Sequence, residues 1–431
     1  MSAEVKPGYK QTEVGVIPGD WEVKSFAEIG NIKTGPFGTS LKAAEYYAVE
    51  GVPLVSVRDI GEGKLTFDEH TPLVPSTVVR RMSEYVLNDG DIVFGRKGGV
   101  DRSAIVQKHQ AGCFLGSDGI RMRPLKVNHA LFIAYQLQRN EIQAWLLKNA
   151  TGTTMPSMNQ AILRRISLPI PTKAEQEAIA EALSDADALI ESLEQLIIKK
   201  RQIKQGAMQE LLTGKKRLPG FSGEWEVKWL GDLFSFSGGY SASRDQLSSE
   251  GHCYLHYGDI HGSSKMIIDA KEDYQNIPKL NIPLKRIAFN SFLKDGDVVF
   301  VDASEDDEGT CKYIVVVNKD DIPFIAGLHT IVAKSKTSEL THEYRRYCFQ
   351  TADIHQQFLF FAVGTKVSGI SKTNIPKLTL PVPPFPEQAA IAEILMDMDS
   401  EIEVLEVKLE KARHLKQGMM HNLLTGKIRL I

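Results

Sequence analysis

The chain contains a copy of itself, and this constrains its architecture more than any other feature. Residues 175–218 read EQEAIAEALSDADALIESLEQLIIKKRQIKQGAMQELLTGKKRL, and residues 387–430 read EQAAIAEILMDMDSEIEVLEVKLEKARHLKQGMMHNLLTGKIRL. Shifted by 212 they align without a gap, and roughly 26 of about 44 positions are identical, which marks a repeat. Pro169-Ile170-Pro171 and Pro381-Val382-Pro383 stand just ahead of them. Weaker pairs lie upstream. Asp20-Trp21-Glu22-Val23-Lys24 matches Glu224-Trp225-Glu226-Val227-Lys228, and Asp89-Gly90-Asp91-Ile92-Val93-Phe94 matches Asp295-Gly296-Asp297-Val298-Val299-Phe300. One plan therefore occurs twice, with similar tails and divergent heads. The boundaries that follow are a first head at 1–171, a long helix at 172–218, a second head at 219–383 and a second long helix at 384–431.

The tails are read as helices from their caps and their period. Thr172-Lys173-Ala174-Glu175 has the form of a capping box, and Pro384 and Pro386 sit where a helix start tolerates a missing N–H. Leu-Leu-Thr-Gly closes each, with Gly214 and Gly426 expected in the left-handed conformation. Ile179, Leu183, Ile190, Leu193 and Ile197 follow 4-3 spacing in the first, as do Ile391, Leu395, Met398, Ile402, Leu405 and Leu409 in the second. Such a seam buries itself against another seam, so the two helices are expected to form an antiparallel coiled coil, the alternative being two amphipathic helices packed separately on their own domains. Gly206 and Gly418 interrupt the helices, which implies either close approach of another backbone or a break before the final turn.

The heads carry short β-branched runs split by Gly and Asp turns: 54–57, 91–94, 103–106 and 120–123. A helix is expected near 128–149, with its counterpart near 339–361, and the two Pro-x-Pro segments are expected as stiff connectors. The fold class is thus α+β: two α/β domains separated by an antiparallel coiled coil of two long helices, with an internal pseudo-twofold repeat. At 431 residues, each head of roughly 150 residues is long enough to fold alone.

Chemistry is harder to find. No GxxxxGK[ST] occurs, and Phe94-Gly95-Arg96-Lys97-Gly98-Gly99 runs into strand-like residues, so it reads as a hairpin and not as a nucleotide loop. Pro383-Pro384-Phe385 imitates a methyltransferase motif but lacks the preceding Asn, Asp or Ser that would hold the target amine. His252, Cys253, His256 and His261 are dense, yet strand alternation sends Cys253 away from its neighbours, so no metal site is expected. The acidic run Glu305–Glu308 reads as a solvated loop. The four cysteines, Cys113, Cys253, Cys311 and Cys348, are scattered with no CxxC, and no apolar run or leader suggests a membrane or export, so the expected location is cytoplasmic. Net charge is −3. The first head has 20 Lys+Arg against 17 Asp+Glu and the second 17 against 21, so a nucleic-acid reader with this balance needs a basic face or a partner.

Two divergent heads, each followed by a helix beginning P-x-P…EQ-x-x-I and ending LLTGK, resemble the specificity subunit of type I restriction-modification enzymes. The resemblance covers essentially the whole chain, from Ile17-Pro18-Gly19-Asp20-Trp21 onward. It implies two target-recognition domains, each reading half of a bipartite double-stranded DNA site, and helices that set the spacing and dock two methyltransferase subunits. Motor-nuclease subunits complete the assembly. The chain itself is then non-catalytic and binds no cofactor. S-adenosylmethionine belongs to the methyltransferase subunits, and ATP and Mg to the motor-nuclease subunits. Two other readings stay open: a self-sufficient DNA methyltransferase or nuclease, and a coiled-coil adaptor that binds no DNA.

Loops rich in Gly with Ser, Thr and basic residues are the candidate DNA contacts. In the first head these are Thr39, Ser40, Lys42, Arg58, Arg96, Lys97 and Arg102; in the second, Tyr240, Ser241, Ser243, Arg244 and Lys312. The loops Gly152-Thr153-Thr154 and Gly364-Thr365-Lys366 either touch DNA or shape the junction to the helices.

Overall fold

The computed structural model describes residues 6–37, 40–42, 45, 50–152, 154–263, 265–304, 312–362 and 368–430. The chain is mixed α/β and divides into two compact units, Met1–Glu194 with Val407–Ile431, and Gln195–Glu406. These units cut across the boundaries drawn from sequence, because each takes one head together with part of both long helices.

Within the first unit, a five-stranded sheet has the order Gly30–Thr34, Gly119–Pro124, Ile92–Gly95, Ser103–Ile105, Gly63–Lys64. The first three pairings are antiparallel and the last is parallel. The second unit has Phe234–Gly238, Thr330–Ser335, Val298–Val301, Tyr313–Val317 and Ile267–Asp269, with the same succession of pairings. A smaller sheet also recurs: Val52–Val55 lies parallel to Phe114–Leu115, and His252–Leu255 lies parallel to Phe324–Ala326. Heads with almost no sequence in common therefore share one topology. The central strands Ile92–Gly95 and Val298–Val301 are buried on both faces, successive residues entering separate apolar clusters, and many runs of Val, Ile and Phe satisfy that pattern.

Several local expectations are corrected. The run 54–57 is strand only to Val55, because the Ser56 N–H and Oγ–H donate to Asp59 Oδ2 (2.8 and 2.5 Å) and start a short 3-10 turn. The helix expected near 128–149 is two, Ala130–Leu137 and Asn140–Asn149, and its counterpart is His342–Arg345 and Ala352–Phe361. In the second head, Thr351 starts the later helix by accepting a bond from the Ile354 N–H. The Pro-x-Pro segments are extended, as expected of stiff connectors, and are in addition paired. Ser167–Ile170 pairs with Glu22–Ser25, and Thr379–Val382 pairs with Glu226–Trp229, as two-stranded ribbons that tolerate proline at an edge.

The long helices span Lys173–Leu211 and Phe385–Leu423, each ending a few residues before the limits read from sequence. Both end in the same way. Gly214 and Gly426 have φ of +68° and +71°, and the N–H groups of Lys216 and Ile428 reach back to the carbonyls of Glu210 and Asn422. Left-handed glycines allow these closing bonds. The seam is not uniform: Ile179 and Leu183 belong to the first head's core, and Ile391 and Leu395 to the second's. Ile197, Ile402 and Leu409 are buried, whereas Ile190, Leu193, Met398 and Leu405 are only half-buried.

Gly206 and Gly418 contradict both readings made from sequence. The helices continue through them, and a Cβ at either would meet nothing within 4 Å. Glycine there costs helix stability without a compensating contact among the described residues. Gly206→Ala and Gly418→Ala are each expected to stabilise the purified protein by about 0.5–1 kcal/mol in denaturant unfolding. A loss of stability in either variant would show that the backbone there needs glycine.

Candidate nucleic-acid interface

Each unit has its own candidate surface at one end of its five-stranded sheet, and glycines shape it. Gly35 follows the strand Gly30–Thr34 so closely against Gly116 that a Cβ would lie 1.8 Å from the Gly116 carbonyl oxygen. Gly239 faces Gly327 in the second head at 1.9 Å. These are equivalent positions, since Thr34 pairs with Ile120 and Gly238 with Ile331. Each head thus folds its first loop tightly against the turn that precedes a central strand, and no larger residue fits.

In the first head, this end of the sheet carries Arg96, Lys97 and Arg102 on the hairpin after Ile92–Gly95. The Arg96 N–H donates to the Asp118 carbonyl (2.7 Å), and its own carbonyl accepts from the Met158 N–H (2.8 Å). Arg102 lies across Gly99, its guanidinium occupying the space a Cβ would need. Among the described residues none of these three side chains forms an ion pair, and Lys97 is exposed. Arg58 differs: its guanidinium is held by Asp68 (2.9 Å) and Asp59 (3.5 Å). Ser40 and Lys42 are exposed, and the Lys42 N–H donates to Glu45, itself paired with Arg81. Thr39 lies outside the described residues, as do Thr153, Gly364–Lys366, Glu305–Glu308 and Cys311.

The second head is wired differently. Arg244 Nη1 donates to Asp259 Oδ1 (2.8 Å) and lies 3.4 Å from His256 Nδ1, which accepts from the Gly258 N–H (3.1 Å). Burial and the nearby Arg244 cation hold the His256 imidazole below its ordinary pKa. Lys312 donates to the His261 carbonyl, so this cation too is committed to its own chain. Ser243 opens the turn Arg244–Gln246, Ser241 is exposed, and Tyr240 packs on the small cluster around Tyr254, whose hydroxyl donates to the Tyr240 carbonyl (2.7 Å). Beside these candidates the structure groups three residues not named among them, Tyr257, Asp302 and His329, of which Asp302 lies in the acidic segment Val301 to Lys312 that stands where the first head has Arg96, Lys97 and Arg102. His329 is one of two non-glycine residues with positive φ (+57°) among those described; it lies 3.2 Å from Asp302 and meets the Tyr257 ring edge-on. The DGD match at 89–94 and 295–300 already set Asp302 opposite Arg96, and that was the available signal. Among the described residues no group of three or more His, Cys, Asp or Glu could hold a metal ion.

Behind these surfaces each head is fastened by the same clamp. In the first unit the fully buried Glu175 accepts from Trp21 Nε1 (3.0 Å) and from the Arg429 guanidinium, which also donates to Asp20 (3.0 and 2.9 Å). In the second, buried Glu387 accepts from Trp225 Nε1 (2.9 Å) and twice from Arg217 (2.6 Å each). Glu175 is therefore not the closing half of a capping box; its carboxylate is turned inward, and only the Thr172 hydroxyl caps, accepting from the Glu175 N–H (3.4 Å). The adjacent glutamines bind backbone: Gln176 accepts from the His129 N–H and Gln388 from the Thr341 N–H. Tyr135 and Tyr347 donate to Asp187 and Asp399, which pair with Lys416 and Lys204. With Arg413–Glu194 in the first unit and Lys200–Glu401 in the second, these ion pairs run the two helices antiparallel within each unit.

A family model, the type I restriction modification DNA specificity domain, matches residues 18–200 and again residues 222–413. The chain belongs to this family. Among its relatives, the putative type I restriction enzyme MjaX specificity subunit of Methanocaldococcus jannaschii is 25% identical, covering 98% of this chain and 97% of that one. The MjaVIII specificity subunit of the same organism is 26% identical over 80% of this chain and 77% of its own length. In fold, the chain is similar to the type I restriction-modification system S subunit from M. genitalium, with a TM-score of 0.56, 15% identity and 98% of each chain covered. For a specificity-domain protein, the clamps explain the most strongly repeated letters. The Glu of EQ, the Trp just ahead of the EVK strand and the Arg near each tail's end are partners in one buried contact, made twice, while the Gln of EQ binds backbone beside it. No helix of the described residues is long and apolar enough to cross a membrane.

Proposed function

We propose that this chain is the DNA-recognition subunit of a type I restriction-modification complex, each head reading one half of a bipartite double-stranded site. The observation that carries this is the recurrence of one sheet topology with equivalent glycine-shaped sheet ends that bear different side chains. A shared frame with divergent loops suits two readers of two different sequences.

In this reading the long helices form one antiparallel coiled coil, relate the heads by a pseudo-twofold axis, set the distance between half-sites and dock two methyltransferase subunits. Catalysis then belongs to the partners, with S-adenosylmethionine in the methyltransferase subunits and ATP and Mg in motor-nuclease subunits. The methyltransferases help enclose the DNA, which accounts for a recognition subunit of net charge −3. The expected site has two half-sites of a few base pairs separated by a fixed unread gap of about half a turn to one turn. Membership of the specificity family favours this reading over a self-sufficient enzyme or an adaptor that binds no DNA.

The test is to map methylated adenines by single-molecule sequencing in a host carrying this gene and its neighbouring methyltransferase, then to delete this gene alone. Loss of methylation at one bipartite motif is expected. An unchanged pattern with active methyltransferase would refute the reading.

Of the candidate contacts, Arg96 is the strongest, being half-buried, fixed by backbone bonds on both sides and without an acidic partner among the described residues. Arg96→Ala is expected to weaken discrimination at one base of one half-site by about 1–3 kcal/mol. Methylation of duplexes varied at each position checks this, and equal weakening of all sequences would make Arg96 a phosphate contact.

A further inference from the structure

We infer that Arg96 and Asp302 occupy the same recognition position in the two heads and read opposite hydrogen-bond patterns. Arg96 takes a base edge of acceptors, as guanine offers, and Asp302 takes an exocyclic amine, as cytosine or adenine offers. The inference rests on the DNA-reading role proposed for the heads.

The equivalence comes from strand register. Ile120 faces Phe94 in the first head, and Ile331 faces Phe300 in the second. Two residues beyond those phenylalanines stand Arg96 and Asp302. Each makes the same backbone bond: the Arg96 N–H donates to the Asp118 carbonyl, and the Asp302 N–H donates to the His329 carbonyl (3.2 Å). Each is followed by the same kind of pairing, Lys97 with Ser157 and Ala303 with Gly369. Both turns, at Asp118 and His329, are the ones pressed against the first loop by the glycine contacts. The frame is common, and the side chain at its tip is reversed in charge.

Reversal at this position is informative. A carboxylate facing a duplex is repelled by phosphates, and it is favourable there where it accepts a bond from a base amine in the major groove. Arginine at the same place suits the acceptor pair of guanine. Asp302 is presented for such use: its side chain is 33% exposed, and among the described residues its side-chain partner is the imidazole of His329. That imidazole is itself positioned by an uncommon left-handed backbone and by the edge-on Tyr257 ring (5.4 Å between centroids). Left-handed backbone at a non-glycine residue is a cost that persists where the surroundings hold it. Arg244 and Lys312 are bound to Asp259 and to the His261 carbonyl, and no Lys or Arg among the described residues forms an ion pair with Asp302.

The experiment uses the complete complex of this chain with its methyltransferase and duplexes carrying every single substitution in both half-sites. With Asp302→Ala, discrimination is expected to fall about tenfold to a hundredfold at one cytosine or adenine of one half-site, while the other half-site is read as before. Asp302→Asn separates the two sources. Asparagine pairs with adenine, so preference retained in this variant marks adenine, and preference lost marks cytosine. The untouched half-site reports that the complex is folded and bound. Unaltered discrimination in both variants, or equal weakening at every position of both half-sites, would overturn the inference while leaving the bipartite reading intact. Absence of any bipartite motif for the unmodified chain would overturn both.

Discussion

Glu175→Ala is expected to destabilise the first unit by about 3–5 kcal/mol, and Glu387→Ala the second by a similar amount. Each carboxylate is fully buried, and each is acceptable there because an indole N–H and a guanidinium face it. Hydrogen bonds donated to Glu175 and Asp20 hold the Arg429 guanidinium well above its ordinary pKa, and those donated to Glu387 raise Arg217 likewise. Each guanidinium also lies over the tryptophan ring, Arg429 on Trp21 at 5.7 Å and Arg217 on Trp225 at 5.5 Å. Alanine would leave the tryptophan donor without its acceptor, reduce Arg429 to its Asp20 partner and Arg217 to the Gly223 carbonyl, and open a void between helix start and edge strand. Glu175→Gln keeps one acceptor for Trp21 and should fall between. Hydrogen exchange read by peptide checks the location. Glu175→Ala should speed exchange across the first unit and spare the second, with the converse for Glu387→Ala. A loss below about 1 kcal/mol, the worth of a surface pair, would refute the clamp's importance.

The second large effect concerns spacing. Four residues added to each helix, between Glu194 and Gln195 and between Glu406 and Val407, lengthen each by about 6 Å. Four residues turn a helix by close to one revolution, so the faces carrying Lys200, Lys204 and Arg413 keep their approximate orientation. At about 3.4 Å per base pair, the unread gap of the methylated motif is expected to grow by about two base pairs while both half-sites stay the same. Methylome sequencing of the variant reads gap and half-sites together. A changed half-site, or an unchanged gap, would sink the ruler.

The surface ion pairs that align the helices are not where stability resides. Lys200–Glu401 and Arg413–Glu194 are well exposed, and pairs of that kind are worth about 0–1 kcal/mol. Their contribution is to direction, since opposite charges meet only in one orientation. The apolar ends of the seam bear the load: Ile179 and Leu183 in one head's core, Ile391 and Leu395 in the other's. A heptad pattern alone does not tell whether a knob enters a partner helix or a neighbouring domain, because both present an apolar surface at the same period.

The duplicated plan, the two long helices and their glycine ends were legible in the sequence, because repeats and helix caps are local signals that adjacent residues carry. The reader's chemistry was legible only in outline. Arg96, Lys97, Arg102, Arg58, Arg244 and Lys312 look alike as letters. Tertiary structure distinguished them, since Asp68, Asp259 and the His261 carbonyl engage three and leave the other three without an ion pair among the described residues. The same holds for Glu175. As a letter three places after a threonine it completes a capping box; in the fold it is the buried partner of a tryptophan 154 positions earlier and an arginine 254 positions later. Sequence by itself determined that one architecture is built twice, because periodicity and composition act over a few residues. Only the tertiary structure decided which charges are spent inside the protein and which face outward, because that depends on partners brought together across hundreds of residues.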